Sequence, residues 1–142
     1  MVTMSSDATV AVLFFGGIYL TPLLHVVLHA GEEAIFIGVG LVVGLLVQLR
    51  DGDLLGRIGG EEFLVMLPTT DMAAARPLAE RLRQTLAAAS IADGTNTINL
   101  PASFGIAELQ AAESQAEWFR RVDGALYQAK KQGRNHCLFE VA

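Results

Sequence analysis

Basic residues are missing from the first third of this chain: all ten lysines and arginines stand at Arg50 or later. Between residues 8 and 49 the only charges of either sign are Glu32 and Glu33. The net charge of −5 divides into −3 before Arg50, from Asp7, Glu32 and Glu33, and −2 after it. Without a basic face, general nucleic-acid binding is not expected, because phosphate contacts need clustered Lys and Arg. Cysteine is nearly absent too. The lone Cys137 excludes an internal disulfide and fits a reducing compartment, and no zinc-ligand spacing occurs.

What is abundant is apolar sequence. Hydrophobic residues make up 52% of 142 residues, and the mean hydropathy is +0.43, high for a soluble domain. The excess lies ahead of Arg50, so the chain divides into residues 1–49 and 50–142. Residues 8–30 run 23 positions without a formal charge, enough to cross a hydrocarbon core of ~30 Å as a helix. Residues 34–49 form a shorter apolar run. A membrane helix or helical hairpin with Glu32 and Glu33 in its turn is the expectation. Arg50 and Arg57 then lie on the cytoplasmic side of an inner membrane. A buried part of a soluble, cytoplasmic fold and a frame or fusion artefact remain alternatives. His25 and His29 stand at i and i+4 with Glu32 and Glu33 one turn on, a spacing that suits a metal but arises easily by chance.

Beyond Arg50 the pattern becomes that of a folded α+β domain. Residues 54–58 and 63–67 predict two strands around Gly59-Gly60, the second buried on both faces. Residues 72–88 have helical periodicity through Leu78, Leu82 and Leu86, with Arg81 and Arg83 off that face and Pro77 as a late start or a kink. Residues 98–106 alternate as one strand, with Pro101 marking an edge or bulge. Ser114 and Glu117 form a capping box ahead of a helix striped with Trp118, Val122, Ala125, Leu126 and Ala129. Gly133 stops it, and residues 136–141 make a last strand. An antiparallel sheet with packed helices results.

The run Arg57-Ile58-Gly59-Gly60-Glu61-Glu62-Phe63 concentrates chemistry. Two glycines at a hairpin tip let a phosphate or base approach bare backbone, and adjacent carboxylates suit a hard divalent cation. Lys130 and Arg134, four apart near a helix end, suit a triphosphate clamp or simply the helix dipole. Arg50 and Asp53 read alone as a surface ion pair.

Five ordered blocks carry a resemblance: Arg50-Asp51-Gly52-Asp53, the Gly-Gly-Glu-Glu run, Ala79-Glu80-Arg81-Leu82-Arg83, Ser103-Phe104-Gly105-Ile106-Ala107, and the stretch from Asp123 to Asn135. Together they resemble the GGDEF family of diguanylate cyclases over about two thirds of the chain. The resemblance implies a partial palm-like, ferredoxin-like α+β domain that condenses two GTP molecules into cyclic di-GMP for bacterial second-messenger signalling, with Mg²⁺ or Mn²⁺ as cofactor. It assigns Glu61 and Glu62 to catalysis and metal binding, and Gly59, Gly60, Lys130 and Arg134 to substrate. Arg50, Asp53 and Arg81 fall to an inhibitory cyclic di-GMP site. Each protomer presents one GTP, so a homodimer is implied.

The chain departs from the family upstream. The family's first strand carries a metal-binding Asp in an Asp-x-Asp-x-Phe-Lys block; the nearest stretch here, Phe14-Phe15-Gly16-Gly17-Ile18-Tyr19, holds no acid. A non-catalytic receptor for GTP or cyclic di-GMP, or a truncated inactive domain, is therefore the competing expectation.

Overall fold

The computed structural model describes residues 10–15, 47–59, 62–93, 95–99 and 101–140. Among these described residues, seven strands and two helices follow in chain order: β1 (Val10–Phe15), β2 (Leu54–Gly59), β3 (Glu62–Leu67), α1 (Met72–Ala88), β4 (Ser90–Asp93), β5 (Asn96–Asn99), β6 (Ser103–Glu108), α2 (Gln115–Lys131) and β7 (Cys137–Glu140). A five-stranded sheet has the order β2-β3-β1-β6-β7, and β4 pairs with β5 in a separate hairpin.

The centre of the sheet is β1, antiparallel to both β3 and β6. It falls inside the apolar stretch expected to form a first helix over residues 8–30. A helix running unbroken through that stretch is not what forms, because Val10–Phe15 is extended backbone hydrogen-bonded on both edges. The physical reason is visible in the composition. A run of Val, Ala, Leu and Phe without charge suits a strand buried in mid-sheet as well as a membrane helix, and periodicity alone does not separate them. The rest of the expected hairpin, with His25, His29, Glu32 and Glu33, lies outside the described residues. So the domain takes in sequence ahead of Arg50, and the position between β3 and β6 is filled.

Alternation along the strands gives the sheet two apolar faces. Val65 and Leu67 of β3 and Phe104 and Ile106 of β6 are buried against Ala75, Ala79, Leu82 and Leu86 of α1. Leu64, Met66 and Ala107 face the other way and pack with Trp118, Val122 and Leu126 of α2. The Trp118 indole donates to the Ala107 carbonyl at 3.0 Å, satisfying a buried N–H. Where α2 crosses β6 the approach is very close: a Cβ on Gly105 would sit 2.3 Å from the Leu126 nitrogen. Only glycine permits that packing.

Both helices start on side-chain caps. Asp71 accepts from the Ala74 N–H at 2.8 Å, and Ser114 and Glu117 form the predicted capping box. Pro77 sits inside α1 rather than at its start. Two expectations need correction. The single strand over residues 98–106 is two, β5 and β6, in different sheets, with Pro101 in the break; a residue without an N–H interrupts the ladder there. The sheet is also not wholly antiparallel, since β7 runs parallel to β6. The crossover through α2 makes that pairing geometrically natural.

Candidate functional site

Strand directions decide which residues meet. β3 and β6 run the same way, each antiparallel to β1, and β7 is parallel to β6. The start of β3, the end of β2 and the start of β7 therefore share one end of the sheet. The C-terminus of α2 returns to that end.

There the Lys130 ammonium stands 3.7 Å from the Glu62 carboxylate. Glu62 lies at the first position of β3, paired in register with Gly59, and the β2–β3 ladder shifts register between Arg57 and Gly59. Gly60 and Glu61 lie outside the described residues. Lys130 and Glu62 are both partly exposed, so a cation and an anion lie beside the end of β2 at Gly59 while still reachable from solvent.

Arg134 does not share a helix face with Lys130. The helix ends at Lys131, and Gly133, Arg134 and Asn135 follow with φ of +109°, +61° and +52°. The Arg134 N–H bonds back to the Ala129 carbonyl at 3.3 Å, as in a Schellman closure. This wraps the turn over the last turn of α2, so Arg134 stays close to Lys130 in the chain but reaches its place by a left-handed turn.

The Arg50–Asp53 pair forms as expected and lies at the opposite end of β2, about 17 Å away at the usual strand rise. The Asp53 N–H bonds the Arg50 carbonyl at 3.1 Å, and Gly52 takes φ +97° inside that turn. The Asp53 side chain is almost fully buried and accepts the Arg50 N–H at 2.8 Å, with the guanidinium 3.5 Å from its other oxygen. One guanidinium nitrogen of Arg50 also donates to the Thr70 hydroxyl and the Pro68 carbonyl. The rest of the group is open: its side chain is 60% exposed. Arg81, expected as a second contact, makes no hydrogen bond or ion pair to Arg50 or Asp53. The Arg81 carbonyl accepts from the Thr85 hydroxyl at 2.8 Å, and that hydroxyl in turn accepts from Gln48 at 3.0 Å.

Two features escaped the sequence reading. Arg83, read as lying off the apolar face, is turned onto the end of β7's entry turn: its Nη1 donates to the Asn135 side-chain oxygen at 2.9 Å while Nε holds Glu80 at 2.8 Å. Arg121 forks onto Glu113 at 2.6 and 2.8 Å and donates to the Glu108 carbonyl. Hydrogen bonding from Arg121 holds the Glu113 carboxyl below its ordinary range. Asn135 stands 52 residues from Arg83, and Glu113 stands 8 from Arg121, so spacing along one helix face gave no signal for either contact. Cys137 is half-buried, and desolvation, helped by Glu80, pushes its thiol up to about 12. It is a poor nucleophile at neutral pH.

The profile described as "Diguanylate cyclase, GGDEF domain" matches residues 39–136. The chain belongs to the GGDEF domain family. The match begins eleven residues ahead of the boundary placed at Arg50. Diguanylate cyclase DgcP of Pseudomonas aeruginosa is 39% identical over 113 residues, 80% of this chain and 16% of that protein. Diguanylate cyclase DgcM of Escherichia coli K12 is 45% identical over 89 residues, 63% of this chain and 21% of that protein. The chain thus spans about a fifth or less of these relatives. Among solved structures, the diguanylate cyclase SiaD of Pseudomonas aeruginosa, in complex with its activator SiaC, superposes with a TM-score of 0.77 at 30% identity, over 94% of this chain and 50% of that one. The active GGEEF domain of a diguanylate cyclase from Vibrio cholerae gives 0.74 at 25%, over 96% and 85%.

GGDEF cyclases generally depend on a metal. The described residues of this GGDEF domain do not by themselves supply a site: Glu62 is the one carboxylate they place at the glycine tip, and it is paired with Lys130. Its register partner on β1 is Phe15. No group of three or more His, Cys, Asp or Glu suited to a metal occurs among the described residues. A hard divalent cation wants about six oxygen ligands, so one carboxylate falls short.

Proposed function

We propose that this chain handles GTP in cyclic di-GMP synthesis, as one half-site of a diguanylate cyclase. The observation that carries the reading is the meeting of Glu62, at the start of β3 and paired with Gly59, with Lys130 at the end of α2. Two segments nearly seventy residues apart converge on one small, partly exposed, charged surface. Bare glycine backbone lets a nucleotide lie flat on the turn. Lys130, with Arg134 on the turn beyond it, neutralises a triphosphate, and Glu62 keeps the ammonium aimed at that place when no nucleotide is bound.

Joining two GTP molecules requires each ribose 3′-hydroxyl to meet the other nucleotide's α-phosphate, so two copies of the chain face each other. Glu61, beside Glu62, is assigned the proton-accepting role, and Mg²⁺ or Mn²⁺ is the ion to be tested. At the other end of β2, Asp53 anchors the partly open Arg50 guanidinium. That suits product binding, since a planar fork recognises a guanine edge or a phosphate. A GTP substrate supports a cytoplasmic position for the domain; attachment of sequence ahead of Arg50 to an inner membrane is a separate element of the proposal, checked by fractionation of cells expressing the full chain.

A second reading has its own observation. β1 offers no acid opposite Glu62, so a receptor that binds GTP or cyclic di-GMP without joining nucleotides fits the described donors. Chromatography of a reaction of the full chain with GTP and Mg²⁺, beside a Glu61→Ala variant, separates the two. Cyclic di-GMP that disappears in the variant supports the cyclase. Bound nucleotide with no product supports the receptor.

A further inference from the structure

We infer that Arg83 is a positioning residue for the nucleotide site, acting through the turn that carries Arg134. The inference rests on the reading that Lys130 and Arg134 meet the GTP triphosphate. Three residues in succession, Gly133, Arg134 and Asn135, hold positive φ, and two of them are not glycine. Asparagine tolerates that region better than most residues; arginine does not. A turn of this kind persists only where its surroundings fix it.

The fixing groups come from three directions. From α2, the Ala129 carbonyl takes the Arg134 N–H at 3.3 Å, and the Gln132 carbonyl accepts from the His136 ring at 3.0 Å. From β6, the Phe104 N–H donates to the His136 carbonyl at 2.8 Å. From α1, on the opposite face of the sheet, Arg83 reaches across to the Asn135 side-chain oxygen at 2.9 Å and its backbone carbonyl at 3.5 Å. Arg83 is itself held: Nε donates to Glu80 at 2.8 Å, and the side chain is only 20% exposed. One guanidinium fork thus ties a rigid helix to the strained turn. Arg134 remains exposed at the tip, beyond Lys130.

A cation that must meet a triphosphate gains most when its backbone is already in place, because less ordering remains for binding to impose. If Arg83 acts in this way, its effect on nucleotide affinity passes through Arg134 and vanishes where Arg134 is gone. The test is a double-mutant cycle read by titration calorimetry of the full chain with GTP, using Arg83→Gln, Arg134→Ala and the pair, with melting curves alongside. Each single variant is expected to weaken GTP binding about tenfold, the scale of one charge-assisted hydrogen bond, and the pair no more than Arg134→Ala alone. Arg83→Lys guards against a folding defect: it keeps the charge, but one ammonium does not span Glu80 and Asn135 together, so it too weakens binding with an unchanged melt. Wild-type affinity in both Arg83 variants while Arg134→Ala binds weakly would overturn the inference and leave the site intact. Losses that simply add would overturn it as well. Absence of GTP binding by the unaltered chain would remove the triphosphate reading and the inference with it.

Discussion

At the scale of single residues, packing and titration make separate demands. Gly105 has no room for a side chain, because the α2 backbone occupies the space at 2.3 to 2.8 Å. Gly105→Ala forces α2 off β6 and is expected to cost about 3 kcal/mol, the upper range for overpacking, measured by denaturant unfolding. The sequence reading quoted this glycine within a family block without seeing why it must be glycine; the reason is a helix from further along the chain. Cys137 makes a demand on pH. Its folded value is raised to about 12 from an ordinary 9.0, so the folded chain favours the neutral thiol. The stability this contributes is fully present below pH 9 and is lost as pH rises towards 12, where the unfolded chain already ionises. Unfolding of Cys137→Ala should therefore show a shallower alkaline decline than the unaltered chain, and an identical decline would contradict the assignment.

At the scale of elements, local signals were strong where the causes are local. The cap Ser114 with Glu117, the apolar stripe of α2, the β2–β3 hairpin and the 72–88 helix all stand where spacing put them. Asp71 closes the start of α1 by one hydrogen bond to Ala74, while Met72 is held from elsewhere by Glu108 at 2.9 Å. Asp71→Ala is expected to lower stability by about 1 kcal/mol, and Asp71→Asn by much less, by thermal and denaturant melts. What was not legible depended on distant partners. A charge-free run such as Val10–Phe15 reads equally as helix or strand until β3 and β6 flank it on both sides. The break at Pro101 separates β5 from β6 because β5 has a hairpin partner in β4, which alternation in residues 98–106 does not reveal. Lys130 and Arg134, expected on one helix face, are separated by the helix end at Lys131 and a left-handed turn.

At the scale of the whole molecule, the sheet separates two charged places by the length of β2. Gly59, Glu62, Lys130 and the Arg134 turn occupy one end, and the Arg50–Asp53 turn, bonded to Pro68 and Thr70, occupies the other. Each draws residues from segments that only the fold unites, and α1 and α2, each over its own apolar cluster, pack on opposite faces of the sheet that joins both ends. Family membership explains why these residue types recur in this order; the geometry explains how they meet. The central claim is that the glycine turn and the end of α2 form one nucleotide site. Titration calorimetry of the full chain with GTP, repeated on Lys130→Ala, tests it most directly. Saturable binding that weakens about tenfold or more in the variant, as expected for loss of a charged phosphate contact, is the predicted result. Equal affinity in the two proteins, or no saturable binding by the unaltered chain, would contradict it.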